Sequence, residues 1–415
     1  MNKNKYKHQL SVTASLCVLR FSQFFAMFLP CLAIIILIYT QKGITVGDFF
    51  LIQGIFRLAA FLLEIPSGYL SDRFSRRHVL MFGAILHGIG FTTLALAHGF
   101  WLIVLGESLL GISSAMFSGT LEAYTYDLLK RNKTQKHFLK EMGSISTWGS
   151  AAAAIATIIG PEIYAYTGGN GNLLIWMSAC AALFQFILYS LLPELSEVVR
   201  KKQKNKSAFM DVIGITLRTL RNAKLRNLII FPALYGSFTI ILFWALQPIM
   251  ETSNIPVALF GIYIGINQFS RMLMSKYAYK ICQKFGEINT SILTILSLVL
   301  SIVLSFVAMY SPNMTVVYIA VAIMAFVPAT QKLNQLQYNS LIHHDIESKE
   351  RGTVLSTSAM VGTLFGATML AGAKYLLDYH GLETTLLATL FTTTLLIISL
   401  YKTKKYLCCS QKQSK

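Results

Sequence analysis

The sequence predicts an all-α integral membrane protein, with twelve transmembrane helices in two pseudo-symmetric six-helix halves. Three observations carry this. Of 415 residues, 54% are hydrophobic and only 13% are charged, about half the charge of an ordinary soluble domain. Apolar runs of about 20 residues recur from end to end, each able to cross a hydrocarbon core of ~30 Å. The charges are also sorted. Lys and Arg crowd the amino tail, the even connections and the carboxyl tail, and only Lys42 and Lys374 fall beside the odd ones. That is the positive-inside rule for a cell inner (plasma) membrane with both termini cytoplasmic. The net charge of +18 therefore reports topology and not nucleic-acid binding.

Taken in order, residues 1–10 form a basic tail. Span 1, about 12–39, carries Arg20 and Gln23 on one face. Span 2, about 46–70, places Arg57 and Glu64 seven residues apart, hence on one stripe. Span 3 is about 78–97, and span 4, about 100–128, is the most acidic, with Glu107, Glu122 and Asp127. Span 5, about 143–166, contains Gly160-Pro161, and span 6, about 172–192, closes the first half, residues 1–192. Residues 193–226 are a basic cytoplasmic linker in which Phe209, Val212, Ile213, Thr216, Leu217 and Leu220 recur at helical spacing. They read as an amphipathic helix on the anionic leaflet. Spans 7 to 12 follow at about 227–250, 257–280, 288–310, 314–338, 352–377 and 382–401, making the second half, residues 227–401. Residues 402–415 are a basic cytoplasmic tail.

Shifting the chain by about 211 residues overlays Asp72-Arg73-Phe74-Ser75-Arg76 on Gln283-Lys284-Phe285-Gly286-Glu287, and Gly54 on Gly265. An internal repeat of this period implies two related halves.

The cysteines, at 17, 31, 180, 282, 408 and 409, lack metal-ligand spacing and read as small buried hydrophobes, with Cys408-Cys409 an acylation candidate. Asn313-Met314-Thr315 fits a glycosylation acceptor. No cleavable signal follows the polar amino end. Neither a G-x-x-x-x-G-K-[ST] loop nor a nucleophile motif is present, so no catalysis, cofactor or metal is expected.

Between spans 2 and 3 lies Gly68-Tyr69-Leu70-Ser71-Asp72-Arg73-Phe74-Ser75-Arg76-Arg77, expected as a tight hydrophilic turn. It resembles the G-x-L-x-D-R-x-G-R-[RK] loop of the major facilitator superfamily, matching at Gly68, Leu70, Asp72, Arg73, Arg76 and Arg77. Ser75 replaces the usual Gly, a cost of about 1 kcal/mol if the position needs positive φ. Glu64-Ile65-Pro66-Ser67-Gly68 resembles E-I-P-[ST]-G, Ser118 to Asp127 resembles S-G-x-x-E-A-x-x-Y-D, and Arg351 to Ser356 resembles R-A-T-V-L-S, a set found in bacterial facilitator-type permeases. Two features depart from the proton-antiporting branch. Glu107 stands where R-x-x-x-G would put an arginine before Gly111, and Tyr164-Ala165 follow Gly160-Pro161 in place of paired glycines.

The resemblance implies a carrier that moves a small organic molecule by alternating access, read here as proton-coupled efflux (antiport) by a monomer in the lipid bilayer. An importer of a nutrient or metabolite is the alternative, and a non-transporting sensor or scaffold the minor one. It also implies roles. Gly68, Asp72, Arg73, Arg76, Arg77 and Asp127 form a conformational latch, with Asp72 accepting hydrogen bonds at Gly352–Thr353 and Asp127 pairing with Arg73 or Arg76. An ionisable group inside a span is expensive and usually functional. Glu122, paired with Arg20 in the central cavity, is thus the first proton-coupling candidate, with Glu64 and Glu107 next. Gln23, Trp244, Gln247, Asn267, Gln268, Arg271, Gln331, Asn334 and Gln335 are the candidates for lining the substrate cavity. Nothing in the sequence selects the substrate.

Overall fold

The computed structural model describes residues 11–195, 214, 217–345 and 351–413, without the side chains of residues 65, 68, 69, 72, 73, 139, 343–345, 351–353 and 405–413. Most of the linker and its amphipathic helix, and the Cys408-Cys409 pair, thus lie outside the described residues. Those described contain no strand. Eleven stretches are long and apolar enough to cross a membrane, and the last, Val354–Lys404, is two helices divided at Gly381 (φ 79°, ψ −179°), which makes twelve.

In chain order these are α1 (Val12–Met27 continued by Ile35–Gln41), α2 (Val46–Arg73), α3 (Arg76–Leu96), α4 (Phe100–Phe117 continued by Thr120–Arg131), α5 (Phe138–Tyr166) and α6 (Gly171–Leu191). The second set is α7 (Ala223–Thr252), α8 (Val257–Phe285), α9 (Glu287–Tyr310) and α10 (Met314–Phe326 continued by Thr330–Asp345). Within Arg351–Thr392, α11 precedes Gly381 and α12 follows it, continuing as Thr394–Gln413.

The helix starts place the repeat on firm ground. Val12 and Ala223, Val46 and Val257, and Arg76 and Glu287 are each separated by 211 residues. The caps obey the same offset: Ser11 Oγ accepts from Ala14 N–H before α1, and Asn222 Oδ1 accepts from Lys224 and Leu225 N–H before α7. So do the turns that follow. Gly43 (φ 82°) and Asn254 (φ 57°) occupy equivalent left-handed positions. Ile44 N–H bonds the Tyr39 carbonyl as Ile255 N–H bonds that of Met250. Later helices drift slightly, with Phe100 and Met314, and Phe138 and Arg351, two or three residues off that offset.

Three spans expected to be continuous are broken. In α1 a 3-10 turn, Pro30–Ile34, interrupts the helix, because proline has no N–H to donate and its ring crowds the preceding turn. In α10 the turn Val327–Ala329 around Pro328 does the same. In α4 the break is at Ser118–Gly119, where Gly119 adopts φ 67°, a conformation open to glycine without a Cβ penalty. The loop after α2 is shorter than expected: α2 runs to Arg73, only Phe74 and Ser75 are non-helical, and α3 starts at Arg76. Ser75 sits at φ −62°, so replacing the usual Gly carries no backbone strain.

Packing divides the chain into two compact units that cut across the first two helices: residues 1–32 with 58–205, and residues 33–57 with 206–415. The first has a core of Leu19, Leu80, Ala84, Tyr124, Leu128 and Tyr189, with Tyr124 Oη donating to the Pro193 carbonyl at 2.8 Å. Its α5 crosses α1 closely: a Cβ at Gly160 would overlap the Pro30 carbonyl. Gly160-Pro161 is therefore a contact device for the kink in α1. The second unit is built around α7, 78% buried over its most apolar window against 33–50% for the other spans. Phe231 stacks on Tyr338 at 5.0 Å. Beside them runs a polar seam in which Asn334 Nδ2 donates to Thr294 Oγ1 (2.9 Å) and Tyr338 Oη meets Ser291 Oγ (3.1 Å).

One smaller expectation needs correction. Of the four described cysteines only Cys31 is buried, whereas Cys17 and Cys180 are exposed. Asn313 is the N-cap of α10, its Oδ1 accepting from Thr315 N–H at 2.9 Å.

Candidate functional site

Three polar clusters stand out against the apolar frame. The first is at the end of α2 where the Asp72 loop lies. Arg76 Nη1 bonds Asp127 Oδ2 and also the Ala123 carbonyl (2.7 Å), while Arg77 Nη2 donates to the Ser190 carbonyl. Asp127 thus takes Arg76, one of the two arginines expected for it. The arginines emerge on the first turn of α3, where the chain has just reversed, and so meet the far end of α4. Asp127 is buried and the Arg76 side chain is about one-fifth exposed, so the contact is largely shielded from water. The side chains of Asp72, Arg73 and Thr353 are not among those described, nor are the surroundings of Gly68 and Gly352, so the expected bonds between Asp72 and Gly352–Thr353 lie outside the description.

The second cluster is the break in α4. Ser118, whose backbone ends the first segment, donates its Oγ to Glu64 Oε1 at 3.0 Å. Glu122 lies in the first turn of the second segment, where a helix start favours negative charge. The expected Glu122–Arg20 pair is not formed. Arg20 Nη2 instead bonds Glu141 Oε2 at 2.6 Å, across α1 and α5. The expectation failed because the break turns Glu122 away from the register of a continuous α4, and because Glu141, assigned to the loop, belongs to α5. Glu107 is buried in α4, close enough to Cys31 to act on it electrostatically.

The third cluster is at the opposite end of α2. Lys374 Nζ on α11 lies 2.6 Å from Asp48 Oδ1 and 2.6 Å from Asp378 Oδ2. Thr45 Oγ1 donates to Asp378 Oδ1 (3.3 Å) while accepting from Asp48 N–H (2.9 Å), so one hydroxyl caps α2 and holds α11. Beside it opens a cleft of about 420 Å³ lined by Thr45, Gly47, Pro248, Glu251 and Asp378 among others. Deeper in the same unit, Ile36 N–H, released by the break in α1, donates to Gln247 Oε1 on α7 at 3.1 Å. Phe49 meets Trp244 edge to face at 5.0 Å. Sequence reading passed over Asp48 and Asp378 and took Lys374 only as a marker of topology, because all three lie too near helix ends to stand out as intramembrane charges. The i, i+4 spacing of Lys374 and Asp378 was the available signal.

The residues expected to line a cavity fall into two groups. Trp244, Gln247, Asn267 and Asn334 are buried within the packing. Asn267 Nδ2, for example, donates to the Ala325 carbonyl at 2.9 Å. Gln23 lies against Gly149, Gln331 lies against Gly236, and Gln335 accepts from Lys332 Nζ (3.3 Å). Arg271 is exposed on α8 and Gln268 beside it is half-buried.

Residues 16–371 match the model of the Major Facilitator Superfamily. The chain belongs to that superfamily. It is 23% identical over 373 residues to an uncharacterized transporter of Buchnera aphidicola subsp. Acyrthosiphon pisum, covering 86% of this chain and 89% of that one. Over 140 residues it is 31% identical to the inner membrane transport protein YajR of Escherichia coli, 34% of this chain and 28% of that one. Among solved structures, the nucleoside transporter NupG superposes with a TM-score of 0.77 at 15% identity, over 96% of this chain and all of that one. A POT family transporter superposes with a TM-score of 0.72 at 16% identity, over 97% of each. At these identities the two structures speak for the fold alone. This facilitator is a multi-pass membrane protein and a secondary transporter of a small molecule.

Proposed function

We propose that this facilitator exports a small organic molecule in exchange for protons. It works by alternating access, as a monomer in the cell inner membrane with both termini cytoplasmic. The observation that carries the alternating-access reading is the Lys374 bridge. One ammonium holds carboxylates of α2 and α11 together at 2.6 Å, yet the three side chains keep a quarter or more of their surface accessible. An ion pair of that kind is worth little when wet, so it can break and reform in a transport cycle. The Arg76–Asp127 contact at the other end of α2 is its counterpart in the proposed latch, together with Gly68, Asp72, Arg73 and Arg77.

Glu122 is the proposed proton carrier. Its expected partner Arg20 is committed to Glu141, so the proposal rests on an acidic side chain at the break in the fourth span. Glu64 and Glu107 are the reserve candidates. Glu122→Gln keeps the volume but cannot exchange a proton. In proteoliposomes reporting internal pH, a transported compound should drive proton movement in the wild type. In the variant the compound should still exchange down its own gradient without moving protons. Proton movement undiminished in Glu122→Gln would remove it from the mechanism.

A further inference from the structure

The helix α8 carries Arg271, Lys276, Lys280 and Lys284 and no acid. Its three lysines recur at every fourth position, hence on one stripe, and all three are exposed. Lys276 Nζ lies 5.5 Å and Lys280 Nζ 5.8 Å from the centroid of the Tyr277 ring, so two ammoniums gather around one side chain. Lys284 Nζ lies 5.4 Å from the ring of Phe285. An aromatic ring attracts an ammonium without neutralising it, and like charges four residues apart on a helix repel. Among the described residues no carboxylate pairs with any of these lysines. The pair also lies at a defined depth. At 29 residues α8 is about 43 Å long, against ~30 Å for the hydrocarbon core and ~40–45 Å with the headgroup layers. With Val257 at one edge of the core, Lys276 falls about 28 Å along, at the other edge, and Lys280 about 34 Å along, among the headgroups.

A cationic pair at the level of the lipid phosphates, without an acid of its own, matches an anion that the bilayer itself supplies. We propose that Lys276 and Lys280 bind the headgroup phosphate of an anionic phospholipid, with Tyr277 gathering the two ammoniums. A zwitterionic headgroup brings its own cation and fits less well. Tyr277 and Tyr279 are both exposed beside the pair, as aromatic residues are where a bilayer meets water. Only Gly286, at φ 77°, separates α8 from α9, so a lipid held here fixes the depth of the turn between them. Such a site is independent of cargo, direction and coupling ion.

The test uses the full-length protein in mixed micelles, with thermal unfolding followed as dioleoylphosphatidylglycerol replaces detergent. Dioleoylphosphatidylcholine is the zwitterionic control, and inorganic phosphate at the same ionic strength is the soluble one. Phosphatidylglycerol should raise the unfolding temperature saturably, and neither control should. Lys276→Gln with Lys280→Gln should raise the half-saturating mole fraction roughly tenfold or more, at a factor of about five for each lysine near the surface. Lys402→Gln with Lys404→Gln removes the same charge from α12, at positions that do not face each other, and should leave the mole fraction nearly unchanged. Tyr277→Leu keeps the lysines and removes the ring that gathers them, so it should also weaken binding, and it decides the matter if the lysine pair does not fold. A wild type that phosphatidylglycerol does not shift, or a shift that survives loss of both α8 lysines, overturns the inference. An equal loss in the α12 pair overturns it too, because the attraction would then belong to basic helix ends in general. A shift reproduced by inorganic phosphate overturns the lipid as the source of the anion.

Discussion

The first three helices and their repeats, α1–α3 and α7–α9, start at the same offset residue for residue, yet the chemistry that sets each boundary differs. Ser11 caps α1 and Asn222 caps α7. Thr45 caps α2 with its hydroxyl, whereas Pro256 precedes α8 with no side-chain cap. Ser75 opens α3 from φ −62°, and Gly286 opens α9 from φ 77°. What the two copies share is apolar length and the positions where the chain must reverse. The polar groups have diverged: Asp48, Arg57, Arg76 and Arg77 have Leu259, Gln268, Glu287 and Ile288 as counterparts. The frame therefore tolerates different local solutions, and none of these four charges is repeated at its counterpart position. The split of α1 marks the same asymmetry. It breaks at Pro30, while α7 carries Pro232 and Pro248 inside a single helix.

Four substitutions test how far the copies are interchangeable. The largest effect is expected from Gly160→Val, which drives a side chain into the Pro30 carbonyl at the break in α1. A loss of about 3 kcal/mol should appear as a fall in monodisperse yield and unfolding temperature. Lys374→Met leaves Asp48 and Asp378 facing each other without their cation. With a quarter of each side chain accessible, a loss of about 1–2 kcal/mol is expected. Maleimide should then label a cysteine at Thr45 faster than in the parent, and an unchanged rate would show that the bridge does not hold this end. The smallest pair is Gly286→Ser and Ser75→Gly. The first forces a side chain into φ 77° and should lose about 1 kcal/mol, while the second should stay within about 0.5 kcal/mol. Equal effects would mean that the two loops share one conformation in solution.

Twelve spans and the repeat were legible because lipid demands long apolar runs, and those survive in composition alone. The loop arginines and Asp127 were legible because a motif fixes their spacing. The partners of Arg20 and Glu122 were not. They depend on which way a helix is turned, and a break at Ser118–Gly119 changes that by an amount no periodicity records. Proline gave no clean warning either, since Pro30 and Pro328 end helical segments whereas Pro66, Pro161, Pro232 and Pro248 do not. The difference lies in whether neighbours re-satisfy the freed carbonyl, which is a property of packing.

The bond from Ile36 N–H to Gln247 Oε1 joins residues 211 apart, the same interval that relates the two copies. Each residue is the other's counterpart in the repeat. Two identical half-chains meeting there would offer two isoleucines or two glutamines, never one of each. The donor is a backbone N–H, which any residue but proline supplies, so only the glutamine side is specific, and only the second copy carries it. Exchanging the residues at 36 and 247 would therefore reverse which copy reaches across to the other.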